Sequence, residues 1–150
     1  MSQRYIQVQT EDFSMAELSD QLRSKDASSG AIVTFTGIVR ELVDGNLTGL
    51  YLEHYPGMTE KALGKIIDEA ERRWKLHQVI VIHRVGELGL NDNIVFVGVG
   101  SAHRVDAFEA AQFIMDYLKK DAPFWKKELT AEGESWVEQK NSDLDAAARW

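Results

Sequence analysis

The alternation of apolar and polar residues along the chain predicts a mixture of strands and helices. Runs rich in β-branched and aromatic residues indicate strands, and apolar residues spaced three and four positions apart indicate amphipathic helices. We expect strands at residues 31–40, 50–55, 78–88 and 93–102, and helices at 56–74 and 103–120. Because strands and helices do not alternate strictly, the pattern favours an α+β fold.

Local features refine this outline. Ser14 to Glu17 has the composition of a capping box, which predicts a further helix start. Gly37, inside the first strand, predicts a bulge or a close approach of two backbones. The strand at 93–102 is nearly all apolar and is expected to be central in its sheet. The helix at 103–120 is apolar nearly all round, so we expect it to be buried, in part by a second copy of the chain.

Composition narrows the class of protein. With 150 residues, 44% of them hydrophobic, the chain is expected to form one globular domain over residues 1–150. No apolar run reaches the roughly 18 residues of a membrane span, and the first residues lack the apolar stretch of a signal peptide, so a cytoplasmic protein is expected. A formal charge of −7 disfavours general nucleic-acid binding, which needs a basic face.

The chain contains no cysteine, which excludes disulfides, thiolate metal sites and a cysteine nucleophile. The four histidines do not have the HExxH spacing of zinc enzymes, so no metal site is expected. If the protein carries out sulfur chemistry, the sulfur must therefore arrive on another molecule.

Cationic side chains gather at three places in this acidic chain. Arg40 follows the first strand, and His103 and Arg104 stand where a strand passes into a helix. A helix N-terminus favours binding of an anion, and an arginine there can donate two parallel hydrogen bonds to that anion. The third place is the stretch YLKKDAPFWKKE at residues 117–128, in which two lysine pairs flank a turn and two aromatic residues.

Two interpretations of this third cluster remain open. The lysines could be solvated surface charge, because lysines favour the C-terminal end of a helix dipole and a following loop. Alternatively, Pro123, Phe124 and Trp125 exclude water from a pocket in which a lysine serves as a general base.

The spacing between clusters adds a constraint. His103 and Lys119 are sixteen positions apart, which corresponds to roughly 24 Å along a straight helix. One small substrate cannot bridge that distance. Either the two clusters have different functions, or two copies of the chain place one cluster beside the other.

Several motifs carry a resemblance to a known family. VTFTGIVR, LEHYPGMTEKAL, VIHRVGEL, IVFVGVGSAHR, AFEAAQFIMDYLKKDAPFWKKE and the closing AAARW closely resemble the large, catalytic subunit of molybdopterin synthase, from about Phe13 to Trp150. The resemblance implies an α/β hammerhead-type fold with an additional small antiparallel β-sheet, and a homodimer that forms the core of a heterotetramer. It implies no cofactor.

The resemblance also implies an activity and a partner. The partner is a small ubiquitin-like sulfur-carrier subunit with a C-terminal Gly-Gly thiocarboxylate, whose tail enters a pocket of the large subunit. There two sulfurs replace oxygens on cyclic pyranopterin monophosphate, which gives the dithiolene of molybdopterin.

By the same resemblance, Lys119 and Lys126 are the expected catalytic residues, and Phe124 and Trp125 are expected beside the partner's tail. The expected substrate-binding set is Ile38, Val39, Arg40, His103, Arg104, Lys119, Lys126, Lys127 and Glu128. Two positions depart from the family pattern: Ile38 stands where relatives often have lysine, and Lys140 stands where they often have an arginine that reaches in from the neighbouring protomer. Lysine keeps the charge of that arginine but loses its bidentate fork.

Two other functions compete with this one. A non-catalytic module could capture a partner's C-terminal carboxylate in the lysine pocket. A single-strand nucleic-acid binder could use Phe124 and Trp125 as stacking platforms, although the net charge argues against it.

Overall fold

The computed structural model describes residues 2–42, 45–137 and 141–150. Within these residues the chain forms two four-stranded sheets and four helices, which confirms the expected α+β class. The elements in chain order are β1 (Gln3–Gln9), α1 (Met15–Gln21), β2 (Ala31–Ile38), β3 (Leu47–His54), α2 (Met58–Arg73), β4 (Gln78–Arg84), β5 (Gly86–Gly89), β6 (Asn93–Ser101), α3 (Arg104–Asp121), β7 (Phe124–Thr130), β8 (Gly133–Val137) and α4 (Asn141–Ala148).

The larger sheet has the strand order β1-β4-β6-β2, in which only the β1–β4 pair is parallel. Alternate side chains of β4 point to opposite faces. Val79 and Val81 join the core formed with α2 and α3, whereas Ile80 and Ile82 pack with Leu18 of α1. The inner strands are therefore buried on both sides, and β6 is central as its apolar sequence predicts.

The smaller sheet has the order β5-β3-β7-β8 and is entirely antiparallel. Its inner face packs Leu50 and Leu52 of β3 and Leu88 of β5 against Val39, which directly follows β2. This is the additional small sheet that the family resemblance implies, and it is packed against one end of the larger sheet.

One predicted strand, at residues 78–88, is two strands in two different sheets. Gly86 has φ +88°, a conformation that side-chain-bearing residues rarely adopt, and the chain turns there from β4 into β5. The prediction of a single strand was wrong because the apolar pattern continues unbroken through this turn.

The bulge predicted at Gly37 is confirmed. The β2–β6 register shifts between Gly37 and Ile38, and a Cβ at Gly37 would lie 2.8 Å from the Val95 side chain. The capping interaction predicted at Ser14 is also present, since its hydroxyl accepts a hydrogen bond from the Glu17 amide.

The pattern did not reveal β1, β7 or α4. The residues that follow Pro123 form the strand β7, paired with β3, rather than a loop. Charged side chains within β7 conceal its strand pattern. No helix among the described residues is long and apolar enough to cross a membrane.

Candidate active site

Helix α3 separates the predicted site residues into two groups. It runs unbroken over Arg104–Asp121, with His103 as its N-cap and Lys119 in its last turn. The rise of an α-helix places these two residues roughly 24 Å apart, as the sequence spacing predicts. One chain therefore holds the two side chains far from each other.

The register of the larger sheet extends this separation to Arg40. Because β2 and β6 are antiparallel, Ala31 lies opposite Ser101 and Ile38 lies opposite Asn93. Arg40 follows β2 at one end of the sheet, and His103 follows β6 at the other, roughly 23 Å away at the rise of a strand. Arg40 thus shares its end of the sheet with the C-terminus of α3, and Arg104 does not.

A cavity of about 620 Å³ opens at the Arg40 end of the sheet, between the C-terminus of α3, the smaller sheet and α4. It brings together the two lysines that are predicted to be catalytic, Lys119 and Lys126, and the two aromatic residues predicted beside the partner's tail, Phe124 and Trp125. Its lining comprises Leu50, Leu52, His83, Ile94, Leu118, Lys119, Lys120, Ala122, Phe124, Trp125, Lys126, Trp136, Val137 and Asp143.

The start of β7 is fixed by two partly buried hydrogen bonds of Thr59. The Thr59 hydroxyl donates to the carbonyl of Pro123 at 3.2 Å and accepts from the amide of Tyr55 at 3.1 Å. From there β7 pairs with β3, so that Phe124 lies opposite His54 and Lys126 opposite Leu52. Lys126 is consequently carried on a paired strand beside the cavity, whereas Lys119 reaches it from a helix end.

Lys127 points to the other face of β7. Its ammonium group forms an ion pair with Glu134 at 2.7 Å and lies 4.9 Å from the ring of Trp136 and 5.3 Å from that of Tyr51. Lys127 does not line the cavity, although it contacts Trp136, which does. Glu128 is half-buried opposite Leu50 and is also absent from the lining.

The other predicted residues have different environments. Ile38 is exposed, whereas Val39 is buried in the core of the smaller sheet. His103 and Arg104 are exposed at the far end of α3. Lys140 lies outside the described residues. Lys120 is exposed and also lines the cavity.

His83 is a cavity residue that the sequence did not single out. Its ring stacks on that of Phe124, with centroids 3.8 Å apart and planes at 18°, and its Nδ1 lies 2.8 Å from the carbonyl oxygen of Arg84. Burial lowers the pKa of His83 to about 4; the hydrogen bond to the Arg84 carbonyl opposes this lowering, and the electrostatic influence of Lys119 and His54 adds to it. His83 is therefore neutral near pH 7. Its position in phase with the buried Val79 and Val81 was the available signal.

The chemistry of the cavity follows from its charges. Three lysines and one aspartate line it, so it favours an anionic guest, and the aromatic and aliphatic side chains around them exclude part of the water. In the part of the chain that the structure describes, no group of three histidine, cysteine or acidic side chains is placed to hold a metal ion. The arrangement suits binding of an anion and transfer of protons.

Comparisons with known proteins point to one family. The family model described as MoaE protein matches residues 8–121. The molybdopterin synthase catalytic subunit of Escherichia coli (strain K12) is 58% identical over 151 residues, which cover all of both chains. The structure of the molybdopterin biosynthesis MoaE protein from Burkholderia ambifaria superposes with a TM-score of 0.84 at 48% identity, covering 100% of this chain and 98% of that one.

A more distant structure shares the fold. In the complex of subunits 1 and 2 of molybdopterin-converting factor from Helicobacter pylori, the matching chain has a TM-score of 0.76 at 20% identity, over 90% of this chain and 91% of that one. The family match spans most of the chain and the identity to the Escherichia coli subunit is high over its full length. The chain therefore belongs to the MoaE family, the catalytic subunits of molybdopterin synthase.

Proposed function

We propose that this protein inserts the two dithiolene sulfurs that convert cyclic pyranopterin monophosphate into molybdopterin, a step of molybdenum cofactor biosynthesis. The sulfur comes from the C-terminal thiocarboxylate of a small ubiquitin-like carrier subunit. The observation that carries the proposal is the cavity that joins Lys119 and Lys126 to Phe124 and Trp125 in a chain without cysteine. Such a site can bind and activate a sulfur anion that it does not itself supply.

The carrier's tail fits the cavity chemically. A Gly-Gly segment has no side chains and is narrow, and its thiocarboxylate is negatively charged. Phe124 and Trp125 line the cavity beside the lysines, so the tail passes apolar rings before its charge meets Lys119 and Lys126. The Helicobacter pylori protein of the same fold forms a complex of two subunits, which is consistent with a second subunit here.

The two lysines have different roles in this proposal. Attack by the thiocarboxylate needs an oxygen to leave the pterin side chain and protons to move. Lys119, at the end of a helix packed on the core, transfers those protons or holds an intermediate covalently. Lys126, on a paired strand, binds the charged tail.

The remaining predicted residues form the edges of the site. We assign Glu128 to the substrate wall beyond Lys126. Glu128 is paired with Leu50 of β3 and Lys126 with Leu52, so both side chains lie on the same face of the smaller sheet. Lys127 contributes through Trp136, whose ring it contacts. Ile38 and Val39 precede Arg40 at the same end of the sheet, and Arg40 binds the substrate there.

The complete site is shared between two copies of the chain. His103 and Arg104 lie about a helix length from the lysine cavity of their own chain, so a second copy supplies them to bind the pterin phosphate. An apolar surface beside them supports this dimer: Val105 and Phe108 of α3 are 59% and 62% exposed, and Phe35 of the edge strand β2 is 43% exposed. The homodimer with two carrier subunits is a heterotetramer, and Lys140 is assigned to the neighbouring site.

We further propose that the enzyme is cytoplasmic and works without a cofactor. The test of the function is a turnover assay with cyclic pyranopterin monophosphate and thiocarboxylated carrier. Wild-type protein should form dithiolene, and Lys119→Ala should lose most of that activity. Tight binding of the carrier without any turnover by the wild type would instead indicate a module that only captures the tail.

A further inference from the structure

Among the described residues that line the cavity, His83 is the one histidine. Its neutral ring is held in place by two contacts. Phe124 stacks against its face at 3.8 Å, and the Arg84 carbonyl lies 2.8 Å from Nδ1. The side chain is only 5% exposed. A buried ring fixed in this way has little freedom to change its orientation.

The hydrogen bond to Arg84 sets the tautomer of His83. A carbonyl oxygen only accepts hydrogen bonds, so Nδ1 carries the proton and donates it. In a neutral ring, Nε2 is then the acceptor. His83 therefore has one acceptor nitrogen and no charge, and it lines the same cavity as Lys119.

Lys119 is the charged residue that we connect with this acceptor nitrogen. Both residues line the same cavity, and the positive charge of Lys119 acts on the His83 ring. The other titratable groups that act on the ring or line the same cavity are His54 on β3, Lys120 on α3, Lys126 on β7 and Asp143 on α4. Among these, Lys119 is the group to which the proposed function gives proton transfer.

We propose that His83 is a positioning residue for Lys119, whose amino group donates a hydrogen bond to His83 Nε2 and is thereby aimed into the cavity. A neutral acceptor suits this task better than a carboxylate. A carboxylate would stabilise the ammonium form and oppose release of its proton, whereas a neutral imidazole orients the amino group in either protonation state. The inference deepens the proposed function and rests on the role that it gives Lys119.

The contact itself is measured without turnover. Two-dimensional NMR of the histidine ring nitrogens in the free, full-length protein reports whether Nε2 is protonated and whether it accepts a hydrogen bond. We expect an unprotonated Nε2 whose resonance moves in Lys119→Met and stays in place in the control Lys120→Met. A protonated Nε2, or an Nε2 resonance that is unchanged in Lys119→Met, would overturn the proposal.

A pair of substitutions at His83 tests the consequence for catalysis. His83→Gln places an amide where Nε2 was, and His83→Asn places one where Nδ1 was, so only the first keeps an acceptor for Lys119. We expect His83→Asn to lower kcat up to about a hundredfold with the KM for the pterin unchanged, and His83→Gln to recover most of the loss. Equal losses in the two variants at equal melting temperature would show a purely structural role and refute the inference.

The two proposals fail in different ways. If Lys119→Met retained full turnover, the proposed role of Lys119 would be wrong, whatever the ring resonances show. If Lys119→Met abolished turnover while the Nε2 resonance did not respond to it, the proposed function would stand and the role of His83 would fall. Should both His83 variants unfold, the ring resonances of the wild-type protein and the lysine variants still decide the question.

Discussion

His103 caps the N-terminus of α3, and Lys119 lies in the last turn of the same unbroken helix. The helix therefore fixes the phosphate-binding candidates and the lysine cavity at opposite ends of one chain. Arg40 belongs to the lysine end, because β2 and β6 are antiparallel. A pterin phosphate that contacts all of these groups must lie between two copies of the protein.

The first prediction concerns the phosphate-binding end. Arg104 is exposed at the N-terminus of α3, where the helix dipole and a guanidinium favour a phosphate, so it is expected to bind the substrate and to take no part in the chemistry. Arg104→Ala should raise the KM for the pterin substrate more than it lowers kcat, because binding common to the ground state and the transition state is lost. Steady-state kinetics with saturating carrier measures both. An unchanged KM with a collapsed kcat would assign Arg104 to the reaction itself.

The second prediction uses two adjacent lysines on opposite faces of β7. Lys126 lines the cavity, whereas Lys127 pairs with Glu134 on the other face. Lys126→Ala should weaken both carrier binding and turnover, and Lys127→Ala, the matched control, should change carrier affinity much less. Calorimetric titration with thiocarboxylated carrier, together with the turnover assay, gives the comparison. Full activity of Lys126→Ala would remove this lysine from the site.

The third prediction separates Lys119 from Lys120. Both line the cavity, but they point about 100° apart around the helix axis. Dithiolene formation should fall by at least roughly a hundredfold in Lys119→Ala, the lower range for a positioned acid or base, and change little in Lys120→Ala. Comparable losses in both variants would mean that the stretch acts as a general positive surface.

The sequence predicted those parts of the fold whose pattern is local. Helices α2 and α3 and strand β6 have regular apolar spacing, and their positions follow from it within a few residues. The division into β4 and β5 could not be predicted, because it depends on the backbone conformation of Gly86 and on pairing with two different sheets.

The candidate site was predictable only in part. The lysines and aromatic residues of 119–127 were visible as a cluster, but their separation onto two faces results from the pairing of β7 with β3. His83 was hidden in an apolar strand sequence, and its significance comes from Phe124, which is distant in sequence and stacks on it. Contacts between residues far apart in the chain have no local signature.

The fourth prediction is a pH dependence of stability that arises from His83. Its pKa is lowered to about 4 in the folded protein, against an ordinary value of 6.5. The unfolded chain therefore takes up a proton at a higher pH than the folded one, so this contribution to stability is complete above pH 6.5. It should decline as the pH falls towards 4, by about 3 kcal/mol in all.

Denaturant unfolding at a series of pH values measures this effect. His83→Phe keeps an aromatic ring against Phe124 but cannot take up a proton, so its free energy of unfolding should fall less steeply between pH 6.5 and 4 than that of the wild type. Parallel curves for the two proteins would show that His83 is not buried in the neutral form.

Subunit complementation tests most directly whether the site is shared between two chains. Lys119→Ala and Arg104→Ala protein are each assayed alone, at a pterin concentration far below the raised KM of Arg104→Ala so that this variant has little activity. They are then mixed under conditions of proven subunit exchange and assayed again at the same concentration. A shared site predicts recovery of about a quarter of wild-type activity, because half of the dimers formed at random are mixed and each mixed dimer has one intact site of two. No recovery in the exchanged mixture, with both single variants inactive, would show that each chain works alone and would contradict the shared site.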